Sequence, residues 1–488
     1  MRKLTRREFL RFSALTGLSL ALPGLAFSAE SYSRILGAND EIRVGIIGFH
    51  SKGAQHIEVF RKIRGVRVVA LCDVDEKVLN KEANKFKKRN ESIRTYKDVR
   101  KLLESDDIDA VVIATPNHWH SLIGIWACQA GKDVYVEKPI SHNIWEGRKL
   151  VEASRKYKRI VQAGTQNRSD IGFREAIQYI REGHIGKILW AHGLWFKRRG
   201  SIGKVNGPQP IPPYVDYNLW TGPAPLRPLM RKNLHYDWHW IWETGNGDMG
   251  NLGAHQIDDC RMATGISRMP RRVISMGGRF GYIDDGQTPN TQLAFFDYEE
   301  VPIIIEIRNL PHTKGSRSMD HLRGVRMGNI IQCEGGYFAG GRGGGWIYDN
   351  NGKKIKQFPG DGGAGHQENF IQAVRSRNPK ELHADILEGH LSATLCHLAN
   401  ISYRMGKITP IEDMKDAFKQ NAEALETLER IKDHLSKNEI NFQETPSILG
   451  PWLTFDGIQE KFTGQFASEA NHYLKRKYRE PFVVPEKV

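Results

Sequence analysis

One short motif places an ionisable side chain where catalysis is favoured. Glu137-Lys138-Pro139 directly follows the apolar run Val134-Tyr135-Val136, which is typical of a parallel strand. Open α/β sheets bind ligands outside the carboxyl ends of their strands. A lysine at that edge can contact both a nicotinamide and a substrate hydroxyl, so Lys138 is a candidate catalytic residue.

An incomplete phosphate-binding loop lies upstream. Dinucleotide-fingerprint spacing after the apolar run Ile42–Ile47 places Gly48, His50 and Gly53 at its three glycine positions. The middle position, which normally lets backbone approach the pyrophosphate, is a histidine. We expect the following helix N-terminus still to attract phosphate, with a shifted cofactor or an altered loop.

An acidic residue strengthens the nucleotide interpretation. Asp73 follows the second apolar run, where a carboxylate hydrogen-bonds the adenosine ribose hydroxyls. A carboxylate there repels a 2′-phosphate, so the sequence predicts NAD rather than NADP. As an alternative, Asp73-Val74-Asp75 only caps the next helix.

The elements that would position these residues lie within 40–165, which has the pattern of a parallel nucleotide-binding sheet. Apolar, β-branched runs predict strands at 42–47, 66–71, 109–114, 134–136 and 160–163. Helical patterns lie between them, at 56–63, 78–86, 122–129 and 144–156.

Five motifs in order resemble one known family. They are the glycine loop, Cys72-Asp73-Val74-Asp75, and the segments 114–120, 130–139 and 164–168. Over roughly residues 40–410 the chain resembles the glucose–fructose oxidoreductase / inositol dehydrogenase family (Gfo/Idh/MocA). The resemblance implies an α/β fold: an N-terminal Rossmann domain (40–165), then an α+β domain (166–410) with a large, open, mostly antiparallel sheet. It also implies homo-oligomers formed through that sheet.

The resemblance further implies hydride transfer between nicotinamide and a ring carbon of a sugar or cyclitol. Lys138 then contacts substrate and cofactor, and its pKa is lowered if it is desolvated beside a positive nicotinamide. Arg168 is placed on the substrate side. The implied cofactor contacts, added to the glycine loop and Asp73, are Thr115, Asn117, His120, Glu137, Lys138 and Gln166.

A second motif, residues 245–258, departs from the family pattern. Many family dehydrogenases carry Asp-x-x-x-His here, and His255 matches the histidine, a natural general base. Asn251 occupies the aspartate position, and an amide can bind a sugar hydroxyl but cannot ionise. Lys138 then carries more of the proton transfer, unless Asp248 or Asp258 compensates; Asp258 is more simply a packing group.

Residues 190–242 are rich in Trp, Tyr and His, with Lys and Arg interleaved. Aromatic faces pack on the C–H faces of sugar rings, so Lys197, Trp220 and Trp238 are candidate substrate contacts beside Asn251 and His255. About half of these aromatic residues are expected to form core instead. Alternation in 238–242 predicts a strand with one face on the pocket. A metal at His235, His239 and His255 is not favoured, because no metal-site signature accompanies them.

The C-terminal part contains further predicted elements. Strands are expected at 272–276, 291–298 and 302–308, a glycine-rich loop at 335–345, and helices at 368–377, 385–405 and 411–436. The final region, 411–488, is a helix followed by a proline-containing tail that wraps either its own domain or a neighbouring subunit.

The N-terminus is predicted to be an export signal. Residues 1–29 contain Arg6-Arg7 followed by Phe9-Leu10, an apolar stretch and small residues, which resembles a twin-arginine signal. The apolar stretch is shorter than the ~20 residues that span a bilayer. We therefore expect a periplasmic protein without a stable membrane span. Because this route exports folded proteins, NAD is expected to be tightly bound beforehand.

Overall composition does not favour a nucleic-acid-binding protein or a cysteine zinc site. The chain has 488 residues, a formal charge of +15 and five cysteines. The charge is spread thinly and no nucleic-acid motif accompanies it, so no nucleic-acid partner is predicted. The cysteines lack paired zinc spacing and are expected to be buried free thiols.

Three functions remain open from sequence. The leading one is an NAD-dependent oxidoreductase acting on a sugar, glycoside or cyclitol. The second is a glycosidase or lyase of the α-N-acetylgalactosaminidase type, which uses NAD for transient oxidation and elimination. The third, a non-catalytic carbohydrate-binding relative, is disfavoured because Lys138 and His255 are both present.

Overall fold

The computed structural model describes residues 41–488, so the predicted signal at 1–29 lies outside the described residues. Residues 42–164 form an alternating α/β domain, as predicted. Its elements are β1 (Ile42–Ile47), α1 (Lys52–Lys62), β2 (Val66–Cys72), α2 (Glu76–Lys88), β3 (Arg94–Tyr96), α3 (Val99–Leu103), β4 (Ala110–Ile113), α4 (Asn117–Gln129), β5 (Asp133–Glu137), α5 (Ile144–Lys156) and β6 (Val161–Gly164).

The sheet of this domain has the order β3-β2-β1-β4-β5-β6, with every neighbouring pair parallel. This is the Rossmann order, in which the strand sequence reverses direction between β1 and β4. The central strands are apolar and buried on both faces, as a parallel sheet with helices on either side requires. The carboxyl ends of β1, β2, β4 and β5 therefore lie along one edge.

The second domain is built on a sheet of twelve strands. Its main order is β14-β13-β12-β11-β7-β10-β9-β8-β16-β15, and within residues 41–488 it is antiparallel except for the pair β7–β10. These strands are β7 (Ile188–Phe196), β8 (Arg272–Gly278), β9 (Thr291–Asp297), β10 (Ile303–Arg308), β11 (Met327–Cys333), β12 (Gly336–Gly341), β13 (Gly344–Tyr348), β14 (Lys354–Pro359), β15 (Lys407–Ile408), β16 (Ile448–Leu449), β17 (Leu453–Asp456) and β18 (Lys461–Thr463).

Helices cover both faces of this sheet. On one face a large apolar core joins it to α6, α8 and α10. On the other, side chains of β8–β10 pack against α11 and α12. The chain's own C-terminal region thus occupies part of the sheet face. The helices are α6 (Ile171–Arg181), α7 (Tyr217–Thr221), α8 (Ala254–Thr264), α9 (His366–Ser376), α10 (Ile386–Arg404), α11 (Lys415–Phe418), α12 (Ala422–Lys437) and α13 (Ala467–Asn471).

Three local predictions were wrong. The glycine-rich stretch 335–345 is not only a loop, because β12 and β13 pair across it as a hairpin. Residues Asp237–Trp240 form a 3-10 helix rather than a strand. The helix predicted over 411–436 is broken into a 3-10 turn, α11 and α12.

The end of the chain returns to the nucleotide domain. Phe482 is buried against the edge of the Trp119 ring, with ring centroids 5.4 Å apart. Arg479 donates hydrogen bonds to the carbonyl oxygens of Gly222 and Asn218, at 3.1 and 2.8 Å. The tail therefore packs on its own chain, which is one of the two predicted possibilities.

All five cysteines are buried and unpaired, as predicted. In residues 41–488 no helix combines the length and apolar character needed to cross a bilayer. The domain boundaries proposed from sequence stay a prediction, and the structure adds that α9 and α10 pack against the nucleotide domain through apolar side chains.

Candidate active site

A cleft of about 570 Å³ lies at the carboxyl edge of the six-stranded sheet, and the second domain forms its opposite wall. Fourteen of the predicted site residues line it. They are Gly48, His50, Asp73, Thr115, Asn117, His120, Glu137, Lys138, Gln166, Lys197, Trp220, Trp238, Asn251 and His255. The order of the strands, rather than proximity in sequence, brings these side chains together.

The glycine loop is tightly packed. A Cβ on Gly48, which has φ +74, would lie 2.8 Å from the Thr115 side chain. A Cβ on Gly53 would lie 2.0 Å from the carbonyl oxygen of Gly48. Gly53 therefore allows α1 to begin directly against the loop, and it does not itself line the cleft. The loop keeps the close-packed strand-to-helix turn that a dinucleotide needs.

Asp73 holds this loop from the end of β2. Its two carboxylate oxygens accept hydrogen bonds from the N–H groups of Phe49 and Asp75, both at 3.0 Å. Asp75 caps α2, with its side chain accepting from the N–H groups of Lys77 and Val78. Asp75 therefore provides the helix cap that the alternative assigned to Asp73-Val74-Asp75, while Asp73 itself binds the glycine loop. Burial raises the pKa of Asp73 to about 6, which leaves a carboxylate available to ribose hydroxyls at neutral pH.

His50, at the missing-glycine position, stacks on His235 from the second domain, with ring centroids 4.5 Å apart and an interplanar angle of 21°. Nε2 of His235 lies 2.9 Å from Oδ2 of Asp75. With a histidine at this position, the backbone cannot approach the pyrophosphate as closely as with glycine. The His50 side chain instead contacts the second domain at the cleft entrance.

His235 belongs to a longer segment of the second domain that extends across the cleft to the nucleotide domain. We call residues 211–240 the clamp segment. Val215 forms a β-bridge with Asp75, and the N–H of Glu76 donates to the Tyr214 carbonyl at 2.9 Å. Nε1 of Trp119 donates to the Leu219 carbonyl at 3.0 Å. The clamp segment is therefore fixed to the nucleotide domain at two places, the turn after β2 and helix α4.

Glu137 and Lys138 extend from β5 to the middle of the cleft. The Glu137 carboxylate lies 2.8 Å from Nε2 of His56 and accepts from Gln166 at 2.9 Å. Burial alone raises the pKa of Glu137, but the hydrogen bond and charge of His56 outweigh it and the pKa lies well below its usual range. Glu137 is therefore an anion beside Lys138.

Burial lowers the pKa of Lys138 to about 8, against the raising effect of the Glu137 and Asp248 charges. Nζ of Lys138 donates to the main-chain carbonyl of Asn251 and lies 3.4 Å from its side-chain Oδ1. A lysine with this pKa can exist in the neutral form and accept a proton near physiological pH.

Asn251 lies in a π-helical turn, Met249–Gly253, immediately before α8. Such turns often occur at functional sites because they redirect a side chain. The Asn251 amide donates to Oδ1 of Asp248 at 3.1 Å, so its oxygen faces Lys138. Asp248 is fully buried and also ion-pairs with Arg199 at 3.1 Å. Asp248 therefore orients the amide that replaces the family aspartate.

His255 lies in the first turn of α8, on the same wall. Burial and, to a smaller extent, the nearby positive charge of Lys138 lower its pKa to about 3, so the ring is neutral. Within residues 41–488 its Nδ1 has no hydrogen-bond partner although the atom is buried. Because His255 also lines the cleft, its neutral imidazole can hydrogen-bond a ligand hydroxyl there.

An aromatic surface completes the substrate side. Trp238 and His239 stack with centroids 3.6 Å apart, and both line the cleft. Trp220 is buried and stacks on Tyr217, with centroids 5.8 Å apart, so it contributes to the core as well as to the cleft.

Two predicted site residues have mainly structural contacts, and one lies elsewhere. Asn117 donates to the Asn246 amide oxygen at 3.0 Å, and the His120 ring lies 2.7 Å from the carbonyl oxygens of both Thr115 and Pro139. Arg168 does not line the cleft. Its guanidinium is buried in ion pairs with Asp258 and Glu388, at 2.8 and 3.0 Å. Those carboxylates occupy the guanidinium, so a substrate contact is not supported.

Several cleft residues were not among the predicted cofactor or substrate contacts. Arg199, Tyr236 and His239 belong to the aromatic and basic segment 190–242, and His239 was considered there only as a metal ligand. Arg342 lies in the turn between β12 and β13. No local signal identifies it, because only the strand order brings that turn to the cleft. His235 and His239 make the contacts given above, and the described residues contain no group of three or more His, Cys, Asp or Glu placed to hold a metal.

The Rossmann sheet, the carboxylate after β2 and the lysine after β5 define an NAD-binding oxidoreductase. Residues 42–165 match the family model described as "Oxidoreductase family, NAD-binding Rossmann fold". Residues 190–273 match the model described as "Oxidoreductase family, C-terminal alpha/beta domain". The chain belongs to the Gfo/Idh/MocA oxidoreductase family.

Among relatives, the chain is 25% identical over 381 residues to glycosyl hydrolase family 109 protein 1 of Shewanella sp. (strain ANA-3), covering 70% of this chain and 74% of that protein. It is 24% identical over 380 residues to an alpha-N-acetylgalactosaminidase of Shewanella oneidensis, with the same coverage.

Two solved structures share the fold. The WlbA dehydrogenase from Bordetella pertussis, in complex with NADH and UDP-GlcNAcA, has a TM-score of 0.55 at 18% identity, covering 75% of this chain and 97% of that one. Levoglucosan dehydrogenase, in complex with NADH and levoglucosan, has a TM-score of 0.54 at 17% identity, covering 74% and 96%.

Proposed function

We propose that this NAD-dependent oxidoreductase acts on a carbohydrate, transferring a hydride between the cofactor and a hydroxyl-bearing ring carbon of a sugar, glycoside or cyclitol. One observation carries the proposal: partly buried Lys138, with its lowered pKa, lies in the nucleotide cleft beside Asn251. The related dehydrogenases with bound sugars support a carbohydrate substrate.

The chain's residues have distinct roles in this proposal. Gly48, the start of α1 and Asp73 hold the dinucleotide, and bound NAD supplies the hydride acceptor. Lys138 accepts the proton of the reacting hydroxyl while Asn251 and His255 orient that hydroxyl by hydrogen bonds. The Trp238–His239 surface supports the apolar face of the ring.

A second candidate is glycoside cleavage without net oxidation. In that scheme, oxidation of a ring hydroxyl acidifies the adjacent C–H, a base removes that proton, and the glycosidic oxygen leaves from the next carbon. Water then adds and the hydride returns to the oxidised carbon, so the cofactor is unchanged overall. The specific observation that favours it is the similarity to glycosyl hydrolase family 109 proteins.

We also propose that NAD stays bound between turnovers. The clamp segment crosses the cleft, and the His50–His235 stack lies at its entrance. Retention suits either a redox-neutral cycle or a cycle in which a second substrate reoxidises the cofactor.

One experiment separates these functions. Purified protein is denatured and the released nucleotide identified, and native protein is then incubated with a panel of glycosides. Absorbance of reduced nicotinamide and release of the aglycone are followed together. Oxidation without cleavage supports the dehydrogenase, and cleavage without net oxidation supports the second candidate. Absence of any bound or bindable nucleotide contradicts both.

Export is a separate proposal. We propose that the protein reaches the periplasm by the twin-arginine route, on the sequence at Arg6-Arg7. Replacing both arginines by lysine is expected to leave the protein in the cytoplasm, measured by cell fractionation. Unchanged export would contradict this route.

We further propose that the chain forms a homo-oligomer through the twelve-stranded sheet. Because α11 and α12 cover β8–β10, the contact is expected on β13 and β14, where Ile355 is 50% exposed. Light scattering after size-exclusion chromatography tests this, and a monomer for both the native chain and Ile355→Asp would contradict it.

A further inference from the structure

The substrate end of the cleft is rich in positive charge. Lys197, Arg199 and Arg342 line it together with Lys138. Arg199 is neutralised by Asp248, through two contacts of 3.1 Å. Lys197 and Arg342 differ, because no carboxylate in residues 41–488 forms an ion pair with either of them.

The sheet places these two unpaired cations on the same rim. Lys197 follows the last residue of β7, and Arg342 follows the last residue of β12. Both strands pair antiparallel with β11, so their carboxyl ends point the same way. Two strand spacings, about 10 Å, separate β7 from β12. Gly193 and Gly340 both pair with Asn329 of β11, so Lys197 also lies about two residues, roughly 7 Å, further along the strand direction than Arg342. A small charged group between them can contact both.

Their other contacts leave the charges available. Arg342 uses Nε to donate to the Gly362 carbonyl at 3.0 Å, which fixes the guanidinium near the hairpin. Lys197 extends beside the Trp195 ring, with Nζ 5.9 Å from its centroid. Both side chains belong to exposed residues at the cleft mouth.

The cofactor does not account for these cations. Its pyrophosphate is expected at the start of α1, beside Lys52, across the cleft from the second domain. Lys197 and Arg342 instead share the wall that carries Asn251 and His255. The charge therefore lies where substrate binds.

We propose that the substrate is an acidic carbohydrate, in which a carboxylate, sulfate or phosphate ester binds between Lys197 and Arg342. This inference rests on the proposed function and narrows its substrate class. The Trp238–His239 surface would hold the sugar ring while the two cations select its charged substituent.

The test compares matched sugars on the NAD-loaded protein by titration calorimetry. The probes are the methyl glycosides of glucose, galactose and mannose, the corresponding methyl hexuronides, and the 6-sulfates and 6-phosphates of the glycosides. Binding is measured for the native chain, for Lys197→Met/Arg342→Met, and for the control Arg198→Met/Lys204→Met. The control removes the same charge from exposed residues outside the cleft lining.

We expect at least one acidic member to bind about tenfold more tightly than its neutral partner, as two ionic contacts allow. The double variant should remove this preference, and the control should keep it. The inference is overturned if no acidic sugar binds, if every neutral partner binds equally well, or if the preference survives in Lys197→Met/Arg342→Met.

Failure here is distinguishable from failure of the proposed function. A protein that contains NAD and reduces it with neutral sugars retains the proposed function and loses only this inference. A protein without bound or bindable nucleotide loses both.

Discussion

At the scale of single residues, burial of Lys138 determines how activity should depend on pH. A proton acceptor must be neutral, and burial brings its pKa to about 8. The neutral fraction rises as pH increases through that value, so oxidation of the sugar should accelerate with pH and then level off. A positively charged nicotinamide would move the midpoint lower.

The first prediction is therefore an ascending pH–rate profile for substrate oxidation with a midpoint near or below 8. It is measured as kcat/KM across neutral and alkaline pH at constant ionic strength. A rate that is flat with pH, or one that rises only near the ordinary lysine pKa of about 10.4, would argue against Lys138 as the acceptor.

Asp248 offers a second test at this scale. Its charge raises the pKa of Lys138, and its carboxylate orients the Asn251 amide. Asp248→Asn should lower kcat by roughly tenfold or more and shift the midpoint of the pH profile to lower pH, because the balancing negative charge is lost.

The matched control is Asp284→Asn, which breaks another buried ion pair, with Arg279, away from the cleft lining. It should destabilise the fold without moving the pH midpoint. If Asp248→Asn leaves the midpoint in place, Asp248 is only structural.

Sequence reasoning succeeded where one residue's chemistry and its position on a strand were sufficient. Lys138 and Asp73 follow β5 and β2 and lie in the cleft as expected. The predicted substrate contact of Arg168 is not supported. Its motif gives a position in the chain, but it does not reveal that Asp258 of α8 and Glu388 of α10 form ion pairs with it. Long-range ion pairs of this kind leave no local pattern.

At the scale of elements, the clamp segment is expected to slow cofactor release. His50 and His235 stack across the cleft entrance, and such ring pairs contribute about 0.5–1.5 kcal/mol. His50→Ala should therefore speed NAD release roughly 2- to 10-fold. The release rate is measured by stopped-flow dilution of the NAD-loaded protein into an enzyme system that consumes free nucleotide.

The control is His184→Ala, which removes a comparable stack with Tyr179, at 4.2 Å, outside the cleft. It should leave the release rate unchanged. Equal release rates for His50→Ala and the native chain would mean that the stack has no part in retention.

Elements were predicted well where periodicity is strong and poorly where glycine and aromatic residues dominate. Ile42–Ile47 and Ile144–Lys156 appear at the predicted bounds. The glycines of β12 and β13 instead satisfy close packing: a Cβ on Gly336 would lie 2.1 Å from the Tyr348 carbonyl oxygen. Because glycine has a low strand propensity, the sequence predicted a loop here. The two strands form a hairpin in which the backbones lie too close together for larger side chains.

At the scale of the whole molecule, the last residues of the chain support the nucleotide domain. Phe482 is 1% exposed and packs on Trp119, whose indole also holds the clamp segment. Phe482→Ala should lower the free energy of unfolding by about 3 kcal/mol and speed NAD release.

Thermal denaturation followed by circular dichroism measures the stability change. Phe442→Ala is the control, because that ring is 36% exposed and should cost much less. An unchanged melting temperature for Phe482→Ala would show that the C-terminal segment does not support the fold.

The central claim is that Lys138 transfers the proton during hydride transfer to retained NAD. The most direct measurement mixes NAD-loaded native protein and NAD-loaded Lys138→Met with the best substrate in a single turnover and follows reduced nicotinamide. We predict that the native chain reduces its cofactor and that Lys138→Met, with nucleotide still bound, does so at least a hundredfold more slowly. Equal rates in the two proteins would contradict the claim.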